Sequence, residues 1–282
     1  MSILSKAKKP SPKPPMITIV GSPGTGKTSL GGLFPDALFV MTEDGVSVFE
    51  SWDEDAQPTV LPRLPRATKD SLGNMQRSTK DALSGILAEL MTEEHSYKTL
   101  VIDSITTLNM MLEHELCERD NVDAVADAAG GYHKGYSVVS DWHAEIVYKC
   151  EQLRAVKNMA VVFLAHTGVK KIRNRPDAAA DYSVYSMDMS NESLSVYVSQ
   201  SDAVLYLKQD EFVMGAETNK KGQTTKYGRI TQTGDRKLVT SSDGQIGFVN
   251  AKNRYDMPAE IDVPKGTNPI LSFIKYFDTE GK

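Results

Sequence analysis

Gly21-Ser22-Pro23-Gly24-Thr25-Gly26-Lys27-Thr28 is the stretch that decides the fold of this chain. It matches the pattern G-x-x-x-x-G-K-[ST], in which a glycine-rich loop wraps around nucleotide phosphates. Glycine allows the backbone to curl so that successive N–H groups point at the phosphate oxygens. The apolar run Met16–Val20 before the loop predicts a buried strand, and the residues from Ser29 onward predict the start of a helix. The motif therefore lies in the context that it requires.

Individual residues of this loop have distinct roles in nucleotide binding. Lys27 is expected to reach the β- and γ-phosphates, and the Thr28 hydroxyl is expected to ligate Mg²⁺. Ser29 begins the helix, whose N-terminus adds unpaired N–H groups and the positive end of its dipole. From average glycine usage, a chance match to the pattern is expected about once in a hundred chains of this length. We therefore predict that the chain binds ATP with Mg²⁺ through residues 21–29.

A second apolar run, Thr99–Ile102, ends in the acidic residue Asp103. This is the Walker B pattern, in which a carboxylate holds Mg²⁺ opposite the threonine of the phosphate loop. The pattern is weak by itself, because many buried strands end in aspartate. Its position after a phosphate loop makes the signal strong, and Asp103 is the predicted second contributor to a magnesium site.

Two more predicted strands end in residues that suit chemistry. Glu43 follows the apolar run Ala37–Met41, and His166 follows Met159–Ala165. Ligands of open parallel sheets bind outside the carboxyl ends of the strands, so both side chains are expected near the phosphate loop. Glu43 can orient or deprotonate the water that attacks the γ-phosphate, or it can belong to a solvated turn. His166 can sense the γ-phosphate or be a structural histidine. The residues alone favour neither interpretation.

Two polar segments are candidates for contact with nucleic acid. The stretch 167–200 is long for a loop inside a compact domain, and such loops are usually functional or disordered. It begins with four cations, namely Lys170, Lys171, Arg173 and Arg175. We expect a mobile nucleic-acid-binding loop there, with a solvated run of charge as the alternative. Residues 130–136 alternate glycine with aromatic and basic residues, which suits single-stranded nucleic acid, but the flexible start of a long helix explains them slightly better.

The bulk composition excludes several classes of protein. Hydrophobic residues make up 40% of the 282 residues and charged residues 24%, which is typical of a globular protein with an ample core. The net charge of −5 argues against a nucleic-acid coat protein. No apolar run approaches the length of a membrane span, so we expect no membrane partner. Cys117 and Cys150 lie far apart without the spacing of metal ligands, which favours free thiols and a cytoplasmic location.

The predicted fold class is α/β, with a mostly parallel sheet flanked by helices and a C-terminal antiparallel extension. Residues 1–15 contain lysines among prolines and serines, and they are expected to form a disordered basic tail. Residues 16–258 form the expected ATPase core. Residues 259–282 form the expected C-terminal extension, which includes a short helix.

The order of these motifs resembles the RecA-like ATPase core. The resemblance extends over residues 16–257 and is closest to phage-encoded members that consist of the core, AAA-type nucleotide-binding proteins linked to single-strand annealing and recombination. It implies that Glu43 activates the attacking water, and that His166 occupies the position where RecA has a glutamine that senses the γ-phosphate. Lys252-Asn253-Arg254 resembles the Lys-Asn-Lys of RecA, so Lys252 and Arg254 are expected to reach the ATP of a neighbouring subunit.

The same resemblance implies a Mg²⁺-dependent P-loop ATPase that binds single-stranded DNA as a homo-oligomer, either a ring or a filament, in the cytoplasm of a host cell. A single-strand-binding protein is a candidate partner. Two other functions stay open from the sequence. A small-molecule kinase would use the basic stretch 170–175 as a lid. A nucleotide-gated scaffold would bind ATP and recruit a protein partner without needing turnover.

Overall fold

The structure is a computed structural model, and it describes residues 7, 9, 11–173, 181–214, 217–218, 224–226, 229–241, 248 and 250–279. The strands within these ranges are β1 (Met16–Gly21), β2 (Ala37–Met41), β3 (Thr59–Val60), β4 (Thr68–Lys69), β5 (Met75–Arg77), β6 (Thr99–Asp103), β7 (Ala160–Ile172), β8 (Tyr182–Met187), β9 (Ala203–Met214), β10 (Glu217–Thr218), β11 (Thr224–Lys226), β12 (Arg229–Val239), β13 (Lys252–Asn253) and β14 (Glu260–Asp262).

The α-helices within the same ranges are α1 (Lys27–Gly32), α2 (Thr79–Thr92), α3 (Ile105–Asp120), α4 (Lys134–Lys157), α5 (Asn191–Gln200) and α6 (Lys275–Thr279). Short 3₁₀ helices cover Val46–Phe49, Glu54–Ala56, Ala128–Gly130 and Pro269–Phe273. Within the described part of the chain, none of the helices is both long and apolar enough to cross a membrane.

Ten of the described strands form one sheet, in the order β14-β12-β9-β1-β7-β6-β2-β3, with β13 beside β9 and β8 beside β7. The strands from β9 to β3 in this order run parallel to one another. β8, β12 and β13 run antiparallel to the strands that they join, and β14 runs antiparallel to β12. This arrangement confirms the predicted α/β fold with a mostly parallel sheet and an antiparallel extension.

The central strands are buried because helices cover both faces of the sheet. Every residue of β1, β2 and β6 is buried, as expected for apolar runs inside a doubly covered sheet. On one face α2 contributes Leu83, Leu87 and Leu90, which recur at helical spacing, and α3, α4 and α5 complete this layer. On the other face, α1 and the C-terminal segment around Ile270 pack against the alternate side chains of the same strands.

The strand register brings the carboxyl ends of four parallel strands to one edge of the sheet. Gly21, at the end of β1, pairs with His166 in β7. Asp103, the last residue of β6, pairs with Met41 at the end of β2 and with Leu164 in β7. The phosphate loop, Asp103, His166 and the residues after β2 therefore meet at this edge, which we call the carboxyl edge.

The segment 167–200 differs from its expected form. β7 continues to Ile172 and pairs with β8 in an antiparallel hairpin, and α5 follows. The expectation of a long loop without regular structure is therefore wrong for the described part of this segment, whereas Arg175 lies outside the described residues. The β7–β8 hairpin (167–172 and 182–187) lies beyond His166, the last β7 residue that pairs with β1. Within the described residues, helices do not cover both faces of the sheet there, so the hairpin strands lack the continuous apolar run of a central strand.

Both termini contribute to the fold more than the sequence suggested. Pro14 and Pro15 are buried, and the Pro14 carbonyl accepts hydrogen bonds from Nε and Nη2 of Arg154. The expected tail of residues 1–15 therefore does not include these prolines, while residues 1–6, 8 and 10 lie outside the described ranges. In the C-terminal extension, β14 joins the main sheet and the expected short helix is present as α6, after a 3₁₀ turn.

A buried polar cluster connects α3, α4 and α5. The Nδ1 atom of His143 lies 2.7 Å from the Tyr197 hydroxyl, and Nε2 lies 3.2 Å from Asn109 Oδ1. The amide oxygen only accepts hydrogen bonds, so Nε2 carries the proton and Nδ1 accepts one from Tyr197. Burial lowers the pKa of His143 to about 3, and the ring is therefore neutral in the folded protein.

Replacing His143 tests this buried, neutral state. The folded-state pKa of about 3 lies below the ordinary value of 6.5, so between these values the unfolded chain binds a proton that the folded chain does not. The free energy of unfolding therefore decreases as the pH falls, by about 1.4 kcal/mol per pH unit from this group. Urea denaturation between about pH 6 and pH 4 measures how the free energy of unfolding changes with pH. We expect this dependence to be weaker in His143→Gln, because the variant lacks the contribution of the imidazole. Equal slopes in the two proteins would contradict the assignment.

Candidate nucleotide-binding site

The phosphate loop joins β1 to α1 through residues 22–26. Gly24 and Gly26 have φ angles of 79° and 90°, in the left-handed region that glycine adopts without steric strain. Gly26 is the N-cap residue of α1, and the Thr25 hydroxyl donates to the Ser22 carbonyl at 2.8 Å. The loop curls back on itself in this way, and Gly24 at its tip stays exposed.

Lys27 is almost completely buried at the base of the loop, with 5% of its surface exposed. Its Nζ atom donates to the carbonyl oxygens of Gly21 at 2.8 Å and Ser22 at 3.1 Å. Burial lowers the pKa of Lys27, while the nearby Asp103 and Glu43 carboxylates act in the opposite direction. The Lys27 amine is therefore held inside the loop by two uncharged carbonyl groups. Phosphate oxygens can replace these carbonyl groups as hydrogen-bond acceptors when a nucleotide binds.

Thr28 and Asp103 form the second contact of the site. Thr28 Oγ1 donates to Asp103 Oδ2 at 2.6 Å. Asp103 is buried, and this desolvation raises the pKa of its carboxyl group. One hydroxyl and one carboxylate suit Mg²⁺, which keeps several waters and takes substrate phosphates as further ligands. Among the described residues, no group of three or more His, Cys, Asp and Glu side chains is placed to hold a metal by itself.

Glu43 and His166 are joined directly at the carboxyl edge. His166 Nε2 lies 2.9 Å from Glu43 Oε1, and Thr107 Oγ1 donates to Glu43 Oε2 at 3.2 Å. The hydrogen bond from His166 is the main cause of a lowered pKa of Glu43, and it outweighs the opposing effect of burial. Glu43 is therefore a carboxylate at neutral pH, and Nε2 of His166 carries the proton that it accepts.

The first turn of α3 holds this pair in place. The backbone N–H of His166 donates to Thr106 Oγ1 at 3.0 Å, and Thr107 contacts Glu43. α3 can supply both threonines because it starts directly after the Walker B strand, with Ser104 as its N-cap residue. The sequence did not predict a role for Thr106 and Thr107. Their only signal was their position one helical turn after Asp103.

Lys252 and Arg254 do not join this group of residues within the same chain. β13 pairs with the beginning of β9, where Lys252 lies opposite Val204, whereas the end of β1 pairs with later residues of β9. Lys252 Nζ donates to two carbonyl groups near the end of α5. Arg254 Nη1 forms an ion pair with Asp202 at 3.2 Å. Both cations therefore lie toward the opposite edge of the sheet from the phosphate loop.

A cavity of about 1090 Å³ adjoins the phosphate loop. Its walls come from residues 24–26, the first turns of α1, segment 51–56, strands β9 and β12, and residues 262–267. Trp52 forms part of the apolar wall, and its ring is held edge-on against Phe49, with ring centroids 5.2 Å apart at an angle of 86°. The volume slightly exceeds the usual range for small-molecule pockets, which is about 300–1,000 Å³. It suits a nucleoside whose phosphates lie in the loop.

Two residues of this cavity, Trp52 and Arg236, were missed by sequence analysis. Neither residue belongs to a recognised motif. Each lies in a segment that is distant in sequence from the phosphate loop, and only the fold brings it to the cavity. Trp52 comes from the segment after Glu43, which contains few periodic apolar positions. Arg236 comes from β12, whose place beside β9 depends on the complete sheet.

A profile of the AAA domain family matches residues 13–255. The chain belongs to this family of P-loop ATPases. The matched range includes the phosphate loop, Glu43, Asp103 and His166, and it ends just after β13. A search of curated proteins found no significant match. Nucleotide binding at the carboxyl edge is therefore supported by the family as well as by the motif.

Alanine at Gly21 tests how closely the phosphate loop is packed. A Cβ atom on Gly21 would lie 2.7 Å from the Leu207 carbonyl oxygen and 2.8 Å from Thr25 Oγ1. We expect Gly21→Ala to lower the free energy of unfolding by about 1–3 kcal/mol in urea denaturation, as overpacked sites do. Gly85→Ala is the matched control, since a Cβ there would meet no atom within 4 Å beyond its chain neighbours and its own helix backbone, and alanine favours the helix. Equal stability of the two variants would contradict the close packing.

Proposed function

We propose that this AAA-family protein hydrolyses ATP with Mg²⁺ and acts in DNA recombination or single-strand annealing, where it binds single-stranded DNA as an oligomer. One observation carries the proposal. His166, which holds the Glu43 carboxylate, is the last β7 residue paired with β1, and the β7–β8 hairpin follows it directly. The group suited to contact the γ-phosphate is thus followed, in the same strand, by a hairpin of which one part is exposed and the other buried.

The phosphate loop supplies the electrostatic part of the reaction. Phosphoryl transfer needs positioning and stabilisation of charge more than covalent chemistry from the protein. Lys27 and the loop N–H groups are placed to bind the β- and γ-phosphates and to stabilise charge on the transferring group. Thr28 and Asp103 would hold Mg²⁺, which when bound supplies further positive charge beside the phosphates.

Glu43 is the residue in this proposal that positions the attacking water. Its carboxylate already accepts hydrogen bonds from His166 and Thr107, so its orientation is fixed before water binds. Because the pKa of Glu43 is lowered, the carboxylate suits orientation of water better than complete removal of a proton. His166, bonded to the same carboxylate, is proposed to respond to the presence of the γ-phosphate.

The β7–β8 hairpin has the chemistry expected of a surface for single-stranded DNA. Lys171 and Arg173 are exposed on or beside β7. Val169 and Tyr185 form a cross-strand pair and are 68% and 44% exposed. Cations that follow the phosphate backbone and aromatic rings that stack on bases are the usual elements of such surfaces. We propose that the hairpin binds DNA and transmits this contact to His166.

Residues 130–136 offer a second surface with the same chemistry. Tyr132 is 92% exposed, and the rings of His133 and Tyr136 stack with centroids 6.0 Å apart. α4 begins at Lys134, so the end of this stretch is helical. We include this surface as a second contact for single-stranded DNA.

The oligomer in this proposal gives a role to Lys252 and Arg254. Within one chain they lie away from the phosphate loop, so they are available only to the nucleotide of another subunit. In line with the resemblance to RecA, we propose that they contact the ATP of a neighbour. Lys252 would exchange its carbonyl acceptors, Val198 and Ser199, for phosphate oxygens. The side chain of Arg254 is already 55% exposed.

ATP hydrolysis with and without single-stranded DNA tests the proposal. We expect DNA to stimulate turnover several-fold in the wild-type protein, and Lys27→Ala to abolish turnover in both conditions. The Lys171→Ala/Arg173→Ala variant should lose the stimulation, because DNA affinity depends on cations that neutralise phosphates. The double variant Arg77→Ala/Lys275→Ala removes an exposed lysine and an exposed arginine elsewhere, and it should be stimulated normally.

Three results would change this conclusion. Basal turnover that DNA does not stimulate would keep the ATPase and remove DNA as its regulator. Equal stimulation of the hairpin variant and the control would place DNA elsewhere on the protein. ATP-dependent DNA binding that persists unchanged in Glu43→Gln, in a protein whose turnover DNA does not alter, would favour the nucleotide-gated scaffold instead.

A further inference from the structure

Arg236 of β12 lies against the phosphate loop of its own chain. A Cβ atom placed on Gly26 would be 2.5 Å from Nη1 of Arg236 and 3.7 Å from its Cζ. Gly26 is the residue directly before Lys27. Its φ of 90° is one that residues with a side chain adopt only with backbone strain. The guanidinium group therefore occupies the open side of the loop, at the point where the loop meets the cavity.

The backbone of β12 directs Arg236 to this position. Arg236 pairs with Gln209 of β9, and the register between β12 and β9 shifts just before it. Gly234, within this irregularity, has a φ of 84°. Such bulges bend a strand and change the direction in which a side chain points. On its other side, the Arg236 carbonyl accepts the N–H of Val263 at 2.8 Å. The residue is thus fixed between two neighbouring segments.

Asp53, Asp210, Asp235 and Asp262 line the same cavity as Arg236. Among the residues that the structure describes, the Arg236 guanidinium has no carboxylate or carbonyl partner. It faces a loop whose N–H groups and lysine are also positive. Like charges in a half-buried setting repel each other, so an anion bound between Arg236 and the loop would stabilise this arrangement. A guanidinium group matches phosphate oxygens with two parallel hydrogen bonds.

We propose that Arg236 binds the nucleotide in the same chain, at the phosphates that connect the loop to the nucleoside cavity. The cavity is lined by Gly26, Ser29 and Arg236, whereas Glu43 and His166 lie where the γ-phosphate is expected. Arg236 therefore contacts the α- and β-phosphates and stabilises the charge that the leaving diphosphate acquires. This inference rests on the proposed function, and it gives the site an arginine that needs no neighbouring subunit.

Calorimetric titration of the full-length protein with Mg·ADP tests the proposal. ADP keeps the α- and β-phosphates and needs neither hydrolysis nor DNA. We expect Arg236→Ala to weaken ADP binding about 10- to 100-fold, the range for loss of a charged hydrogen-bonding group. Arg236→Lys should be intermediate, because lysine keeps the charge but not the paired donors. Arg77→Ala, an exposed arginine on β5, is the matched control and should bind like the wild type. Circular dichroism melts of each variant confirm that it folds.

The outcomes separate this proposal from the function on which it rests. If the wild-type protein binds no ADP, the proposed function fails and this proposal fails with it. If the wild type binds and Lys27→Ala does not, nucleotide binding stands. If Arg236→Ala then binds ADP with an affinity within twofold of that of Arg77→Ala, the role of Arg236 is overturned while the proposed function stands. A gain in ADP affinity would also overturn it, because that result would make the guanidinium an obstacle rather than a ligand.

Discussion

The parallel register of β1, β7, β6 and β2 is the constraint on which the site depends. It pairs Gly21 with His166 and Asp103 with Met41, so β1, β6, β2 and the parallel part of β7 all end at one edge of the sheet. A slip of one residue would turn every side chain of a strand to the opposite face. The buried apolar side chains on both faces oppose such a slip, and the hydrophobic core therefore sets the positions of the polar residues that follow it.

The two carboxylates at this edge are held in different electrostatic states. Desolvation raises the pKa of Asp103, whereas the hydrogen bond from His166 lowers that of Glu43. Environments that separate the pKa values of two acids commonly assign them different tasks. Asp103, bonded to Thr28, suits the metal side of the nucleotide. Glu43, bonded to His166 at the base of the β7–β8 hairpin, suits the side from which water attacks.

The parts that the sequence predicted well were those encoded in short, continuous stretches. The apolar runs before Gly21, Glu43, Asp103 and His166 identified the central strands, because a doubly covered parallel sheet needs continuous hydrophobicity. The β7–β8 hairpin lies past the parallel sheet, so its residues did not show that pattern. Arg236 was unpredictable for another reason, since its position depends on a bulge and on pairing between distant segments.

The most direct test of this account asks whether the γ-phosphate is linked to the β7–β8 hairpin through His166. Hydrogen exchange of the amides in residues 167–172 and 182–187 can be compared with ADP and with a non-hydrolysable ATP analogue. The account predicts slower exchange with the ATP analogue than with ADP, and no such difference in His166→Ala. Equal exchange with both nucleotides, in a protein shown to bind both, would contradict it.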